Sequence, residues 1–403
     1  MRVLTFSWEY PPVIEGGLAR HVRKLSEQLV ALGVEMHVVT RGGGALAPRE
    51  ERHGVIVHRV TEPPFPRDDI RAFVRWVAAM NRDLGALGER LADGDEFDLV
   101  HSHDWLVADA ASRVARRAGR PWLVTIHATE YGRHQGWVQT YPQSHIHGAE
   151  REMARRADHV ITCSRYMRSH VATVFDVSPR KITAMQNGID VADLEPVADD
   201  LEALRATYAE PDEQLVLLVG RLVYEKGFHL ALDALAPVIR RRGNVRFVVA
   251  GTGTAEAELR RQARRLGLAR KGAFLGWVGD DMLHSLYRIC DLCIVPSIYE
   301  PFGIVALEAM ASGCLCVVAD TGGLREVVPG DGTVGLRFPS RDTAALREIV
   351  ERVLSDHELR AQMVAEAREH VLRFDWAQVA RETANVYERT LQRVDRMRMT
   401  QPS

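Results

Sequence analysis

Residues 292–310 read LCIVPSIYEPFGIVALEAM. The stretch falls into three parts: an apolar run ending at Pro296, a polar turn from Ser297 to Gly303, and a second apolar run closing at Met310. The first run has the length of a buried strand, and IVALEAM has the composition of a packed helix. Strand, loop and helix in this order form the unit of a parallel sheet covered on both faces. Pro301 is expected to open the helix, and Gly303 to leave the first-turn amides accessible. Glu308 is the odd residue. A carboxylate inside an apolar helix turns inward only with a partner, and two vicinal hydroxyls of a sugar would suit it. Glu300, just ahead of the helix, reads either as a cap or as a second ligand group.

The same alternation runs outward in both directions. Strands are expected at 3–7, 35–40, 55–60, 99–102, 122–126, 159–163 and 182–185. Helical patterns lie between them, such as 19–32 with Val22, Leu25, Leu29 and Leu32 on one face. Around Asn187-Gly188-Ile189-Asp190 the pattern breaks into a polar, acidic stretch reaching about residue 212. A second series follows at 215–220, 245–251, 273–275, 292–296, 316–320 and 335–338. The fold class is therefore α/β, with two Rossmann-like doubly wound domains expected at 1–190 and 191–374. In an open α/β sheet the ligand sits beyond the carboxyl ends of the strands, so two such domains facing across a cleft place the site in the loops that follow strands.

Bulk properties narrow the function classes. At 403 residues the chain exceeds what one core ordinarily fills, which agrees with two domains. A formal net charge of −2 gives no reason to expect a nucleic acid partner. Local arginine clusters at 113–120, 151–156 and 240–242 read as solvated helix faces, or as a weak peripheral contact with an anionic lipid surface. No run approaches the ~20 apolar residues of a membrane helix, and no leader pattern opens the sequence, so a cytoplasmic protein is expected. Cys290-x-x-Cys293 and Cys314-x-Cys316 sit inside apolar strand patterns and read as core thiols rather than zinc ligands.

Four other strand ends carry chemistry. Pro11-Pro12 and Gly16-Gly17 separate the first strand from the first helix, a pattern that stiffens a loop and then aims backbone amides at an anion. After LVLLV comes Gly220-Arg221-Leu222-Val223-Tyr224-Glu225-Lys226-Gly227, where two cations flank a turn and suit a pair of phosphates. Gly251-x-Gly253-x-x-Glu256 is half of a dinucleotide fingerprint with its last glycine missing. His101, His103 and Asp104 follow FDLV, and Thr125 and His127 close WLVTIH. Two histidines at i and i+2 share a strand face, but no further ligand set has metal spacing, so no metal is expected.

Taken in order, Gly16-Gly17, His103-Asp104-Trp105, Thr125-Ile126-His127, Asn187-Gly188-Ile189-Asp190, Gly220-Arg221 with Glu225-Lys226-Gly227, Glu300-x7-Glu308 around Pro301-Phe302-Gly303, and Thr321-Gly322-Gly323-Leu324-x-Glu326 resemble the retaining GT-B glycosyltransferases of family 4. HATEYGRHQGWVQT at 127–140 and SWEYPP at 7–12 resemble the glycogen-synthase-like α-glucosyltransferases within it. The resemblance implies a hexosyltransferase moving glucose from ADP- or UDP-glucose to an α-1,4-glucan-type acceptor, without metal or cofactor. It implies a final helix, about 375–403, that crosses back to the N-terminal domain. It implies that Gly17 offers an amide to the donor diphosphate, that Arg221 and Lys226 hold that diphosphate, and that Glu300 touches the donor sugar. Phe302 and Gly303 would add amides there, and Glu308 would hold the ribose. His127 would touch the sugar beside the reacting carbon, and Asp104 would line the acceptor side. Gly16, Gly253, Pro301 and Ile304 complete the expected substrate-binding set. The alternative within the class is a mannosyl- or other hexosyltransferase acting on a lipid or small-molecule acceptor.

Overall fold

The structure is a computed structural model that describes residues 1–62, 65–66, 69–195 and 197–400, with the side chains of 397–400 left aside. The chain divides into two compact units: Met1–Gly188 with Trp376–Ser403, and Ile189–Asp375.

The first unit is built on a sheet of eight strands: β1 (Arg2–Phe6), β2 (Glu35–Gly42), β3 (Arg49–Arg52), β4 (Val55–Thr61), β5 (Leu99–His103), β6 (Trp122–Ile126), β7 (His159–Thr162) and β8 (Ile182–Ala184). Their spatial order is β3-β4-β2-β1-β5-β6-β7-β8. All pairs are parallel except the edge pair β3–β4. The apolar pattern does not foretell β3. Its sequence, REER, carries no apolar residue, and it exists because the chain reverses at His53-Gly54 and pairs back on β4. A charged edge strand also discourages pairing with a second chain. One core cluster joins Val3, Val22, Leu25, Leu29, Val38 and Leu99 to Trp376, Ala380 and Tyr387. The last helix, Trp376–Thr400, is thus part of this unit through the same apolar face of Gly17–Ala31 that the sequence pattern marks.

The second unit holds β9 (Gln214–Val219), β10 (Val245–Ala250), β11 (Gly272–Gly276), β12 (Leu292–Val295), β13 (Leu315–Asp320) and β14 (Leu336–Pro339), in the order β11-β10-β9-β12-β13-β14. Every pairing is parallel. All five cysteines are buried thiols outside any disulfide, those at 290, 293, 314 and 316 within this unit. Two local expectations change. The polar stretch before β9 contains a helix, Leu201–Tyr208, capped by Asp200, whose carboxylate accepts from the Ala203 amide. Pro301 does not open the helix after β12. That helix is Ile304–Ala311, its cap is Gly303 at φ +116°, and Pro301 remains in the loop.

Candidate active site

In each sheet the chain winds outward in both directions from its first strand. β9 continues to β10 and β11 on one side and meets β12 on the other, so the loops after β9 and β12 diverge at a topological switch point. The loop after β9 ends in Gly227 at φ +69°. A Cβ there would stand 2.0 Å from the Pro296 carbonyl oxygen, so only glycine lets the two loops meet. They are then stitched together. The Glu225 carbonyl accepts from the Ile298 amide at 2.8 Å and the Tyr299 amide at 3.2 Å. Lys226 Nζ donates to Glu300 Oε2 at 2.7 Å, and Ser297 Oγ donates to the same oxygen at 2.9 Å. The loop after β13 closes the set, with the Gly323 amide donating to the Glu300 carbonyl at 2.8 Å and Thr321 Oγ1 to Ile298 O at 3.1 Å.

Around this knot stand the other predicted residues. Arg221 is exposed, with a guanidinium nitrogen 4.0 Å from Glu225. Glu308 is buried, as its apolar helix required, and Tyr287 donates to its Oε2 at 3.0 Å. Burial beside Glu308 raises the Tyr287 hydroxyl well above its ordinary range, so it stays a proton donor. Phe302 is buried, while Gly303 caps the helix that starts at Ile304 and its carbonyl accepts from the Ala306 amide at 3.1 Å. Gly253 has a reason within the chain: its Cβ would meet Leu222 O at 2.3 Å, where the loops after β9 and β10 bond through Leu222 N to Thr252 O. The fragment of a dinucleotide fingerprint is a loop-packing device.

The first unit has its switch point between β1 and β5. The loop from Trp8 to Gly16 is fixed by Arg41, 1% exposed, which lies 4.9 Å over the Trp8 ring and bonds Trp8 O, Glu62 and Glu15. Glu9 is buried beneath this loop and accepts from the amides of Glu15 and Gly16. Its burial pushes its carboxyl up to about 7. The Gly16 amide is therefore already engaged. Gly16 is extended, at φ −172°, and a Cβ on Gly16 or Gly17 would meet nothing within 4 Å. The turn does not demand this glycine pair, and the space before it is open.

Asp104 follows β5 at φ 60°, an unusual backbone for a residue with a side chain. Its Oδ1 accepts from the His127 amide at 2.8 Å, tying the ends of β5 and β6 together, and burial raises its carboxyl to about 6. His127 Nε2 lies 3.1 Å from His103 Nδ1. His21, on Gly17–Ala31, packs its ring 4.5 Å from that of His127 and bonds Asn187 Oδ1 at 3.1 Å. His101 bonds Tyr387 at 2.7 Å and Thr125 at 2.8 Å. Burial depresses all four imidazoles, His101 and His127 to about 3, so each is neutral. His21, His103 and His127 bring nitrogens within 4.8 Å of one another and form the one such group among the described residues that could hold a metal. Sequence reasoning misses Glu9, His21 and Tyr287. For His21 a signal is present, since it sits beside Val22 on an apolar helix face.

Two doubly wound units with charged, glycine-bearing loops at their switch points define a GT-B glycosyltransferase. Residues 15–193 match the family described as Glycosyltransferase Family 4, and residues 200–370 match Glycosyl transferases group 1. The chain belongs to this family and is a hexosyltransferase. It is 38% identical over 399 residues to the glycogen synthase of Mycobacterium tuberculosis, covering 96% of this chain and 94% of that one. It is 31% identical over 393 residues to the D-inositol 3-phosphate glycosyltransferase of Frankia alni, covering 93% and 95%. Sucrose-phosphate synthase from Thermosynechococcus elongatus shares the fold, with a TM-score of 0.81 at 23% identity over 96% of this chain and 98% of that one. Among the described residues no helix is long and apolar enough to cross a membrane.

Proposed function

We propose that the protein is a retaining, metal-independent glucosyltransferase that moves glucose from ADP- or UDP-glucose to an α-1,4-glucan-type acceptor. The observation that carries this reading is the Lys226–Glu300–Ser297 knot at the switch point of the second unit. A nucleoside diphosphate is an anionic leaving group, and fixed cations and helix amides meet the charge that grows on it without reorganising. Lys226 and Arg221 take that task, with the amides of Phe302, Gly303 and Ile304. Glu300, gripped from two sides, turns its other oxygen to the donor sugar. Glu308, oriented by Tyr287, holds the ribose hydroxyls. In the first unit the Gly17 amide contributes to the diphosphate, because the Gly16 amide is already bonded to Glu9. His127, neutral and ordered by His103, touches the sugar, and Asp104 lines the acceptor side.

In this reading no side chain acts as a covalent nucleophile, and Glu300, ion-paired with Lys226, serves to orient the sugar. Front-face displacement fits retention. The bond from the anomeric carbon to the β-phosphate oxygen breaks, the acceptor oxygen bonds the same carbon face, and the acceptor proton passes to the departing phosphate. The test is nucleotide release from a panel of nucleotide sugars with glycogen as acceptor, in EDTA. Turnover of a glucose donor in EDTA, retained after zinc analysis finds no stoichiometric metal, is expected. Activity lost in EDTA and restored by a divalent ion would overturn metal independence and point to the three-histidine group. A second reading, transfer to a phosphorylated small-molecule acceptor, is favoured by the Frankia alni relative. It replaces the first if small acceptors turn over and glucans do not.

A further inference from the structure

The loop after β6 carries features that the transfer chemistry leaves unused. It starts from the helix Glu130–Arg133, whose cap Thr129 accepts from the Gly132 amide. The Glu130 amide donates to both oxygens of the buried Glu150, at 3.0 and 2.9 Å. Backbone bonds then fold the chain back on itself, from Gly136 N to Tyr131 O at 2.8 Å and from Trp137 N to His134 O at 2.9 Å. Gly136 lies against the Tyr131 ring, where a Cβ would come 3.2 Å from the phenol oxygen. The loop is therefore a folded structure, yet it displays Trp137 at 64% exposure and Tyr141 at 46%. Arg71 sits over the Tyr141 ring at 5.6 Å and holds that ring in place.

An exposed indole on a tied-down loop loses little conformational freedom on binding, which is what an anchor residue requires. The residues between the aromatics decide its partner. From His134 to Ser144 the sequence is HQGWVQTYPQS, without a carboxylate, lysine or arginine. The exposed amide of Gln139 and the exposed hydroxyl of Thr140 lie between the two rings. That pattern matches a neutral polyhydroxylated chain, whose pyranose rings have an apolar C–H face for aromatic stacking and a hydroxyl rim for amides. Arg71 over Tyr141 is a cation beside the run, and vesicle pelleting separates an anionic lipid surface from a glucan. The segment belongs to the loop that follows β6, the strand whose end carries His127 and is bonded to Asp104.

We propose that Trp137 and Tyr141 form a stacking platform for the distal glucose units of an extended α-glucan acceptor. Tyr141 follows Trp137 by four positions, a span of at most about 14 Å of chain, the reach of a few pyranose rings. This inference rests on the glucan reading above, and its test separates the two.

Wild-type protein and the Trp137→Ala, Trp137→Phe and Tyr141→Ala variants are compared in three assays: mobility in native gels containing glycogen, KM for maltoheptaose against maltose at saturating donor, and pelleting with phosphatidylcholine–phosphatidylglycerol vesicles. Trp137→Ala is expected to lose glycogen retardation and to raise KM for maltoheptaose about tenfold, with kcat and the KM for maltose unchanged; Trp137→Phe should recover part of the loss. Thermal melting checks the fold, which the exposure of Trp137 should leave intact. If wild type and Trp137→Ala are retarded and turn over maltoheptaose alike, the platform is wrong and the glucan reading stands. If wild type neither binds glycogen nor elongates any maltooligosaccharide, the glucan reading itself fails. Vesicle binding lost in Trp137→Ala, with glycogen binding unaffected, would assign the aromatics to a membrane surface and overturn the proposal.

Discussion

Lys226 shows how a partner seen only in the folded chain changes what a substitution means. On the sequence it is a charge on a turn. In the structure its ammonium shares a buried oxygen of Glu300 with Ser297. Lys226→Ala therefore has two effects of different size. Leaving Glu300 with one donor fewer costs about 1–3 kcal/mol of stability, a melting shift of several degrees in a unit this large. Losing a preorganised contact to the leaving group costs about 10²–10³ in rate. The expected variant is folded, slightly less stable, and at least about a hundredfold slower in kcat/KM for the donor. More than about half of wild-type activity would remove Lys226 from the diphosphate site. Arg221, Lys226, Glu300 and Glu308 are legible in the sequence because each stands at a strand end or interrupts an apolar helix. Glu9, Tyr287 and Ser297 are not, since their roles depend on partners from 3 to 21 residues away that only the tertiary fold supplies.

At the scale of elements, the loops separate two kinds of glycine that look alike in sequence. Gly227 is demanded by the chain, because its φ is +69° and a Cβ would run into Pro296 O. Gly227→Ala adds left-handed strain of about 1–2 kcal/mol to a backbone collision, so it should lower the melting temperature by roughly 10 °C and pull Lys226 away from Glu300. Gly17 is the reverse case. It sits in the first turn of Gly17–Ala31, where a Cβ would meet nothing of the chain within 4 Å. Gly17→Ala should leave melting unchanged or raise it, since alanine is favoured over glycine in a helix by roughly 0.5–1 kcal/mol. Its cost should appear only in donor affinity, read by titration with a nucleoside diphosphate. Unchanged affinity would remove the glycine pair from the site. The strand and helix order is readable because apolar runs punctuated by glycine and proline mark buried parallel strands. The edge strand Arg49–Arg52 is not, because pairing with β4, rather than composition, makes it a strand.

For the whole molecule, the titrating groups are unevenly shared, and this predicts how acid unfolds it. Seven histidines of the first unit are strongly depressed by burial: His58, His159 and His170 to about 4, His101 and His127 to about 3, and His21 and His103 well below their ordinary value. Between these values and about 6.5, the unfolded chain binds protons that the folded unit refuses, so stability falls as pH drops below 6.5. Three carboxyls of the same unit oppose this. Asp104, Glu9 and Glu150 are raised to about 6, 7 and 8, so the folded form holds protons the unfolded chain has released, and stability falls as pH rises through those values. Seven groups still outweigh three at pH 6.5, where each unfolded imidazole is about half protonated, and the carboxyls take over above about pH 7, which places the optimum of the first unit near pH 7. One net proton alone changes stability by about 1.4 kcal/mol per pH unit, so melting of this unit should fall by at least about 4 °C between pH 6.5 and 5.0. In the second unit His229 and His370 are lowered, without the strong depression seen in the first, and its transition should move less in that window. Six of the seven tryptophans belong to the first unit, so their fluorescence reports its transition and calorimetry reports both. Acid should split the calorimetric trace, with the fluorescence transition following the lower step, and His101→Gln should flatten its acid slope by about one proton. A fluorescence midpoint that stays constant from pH 6.5 to 5.0 would show that these imidazoles are not held neutral by the fold.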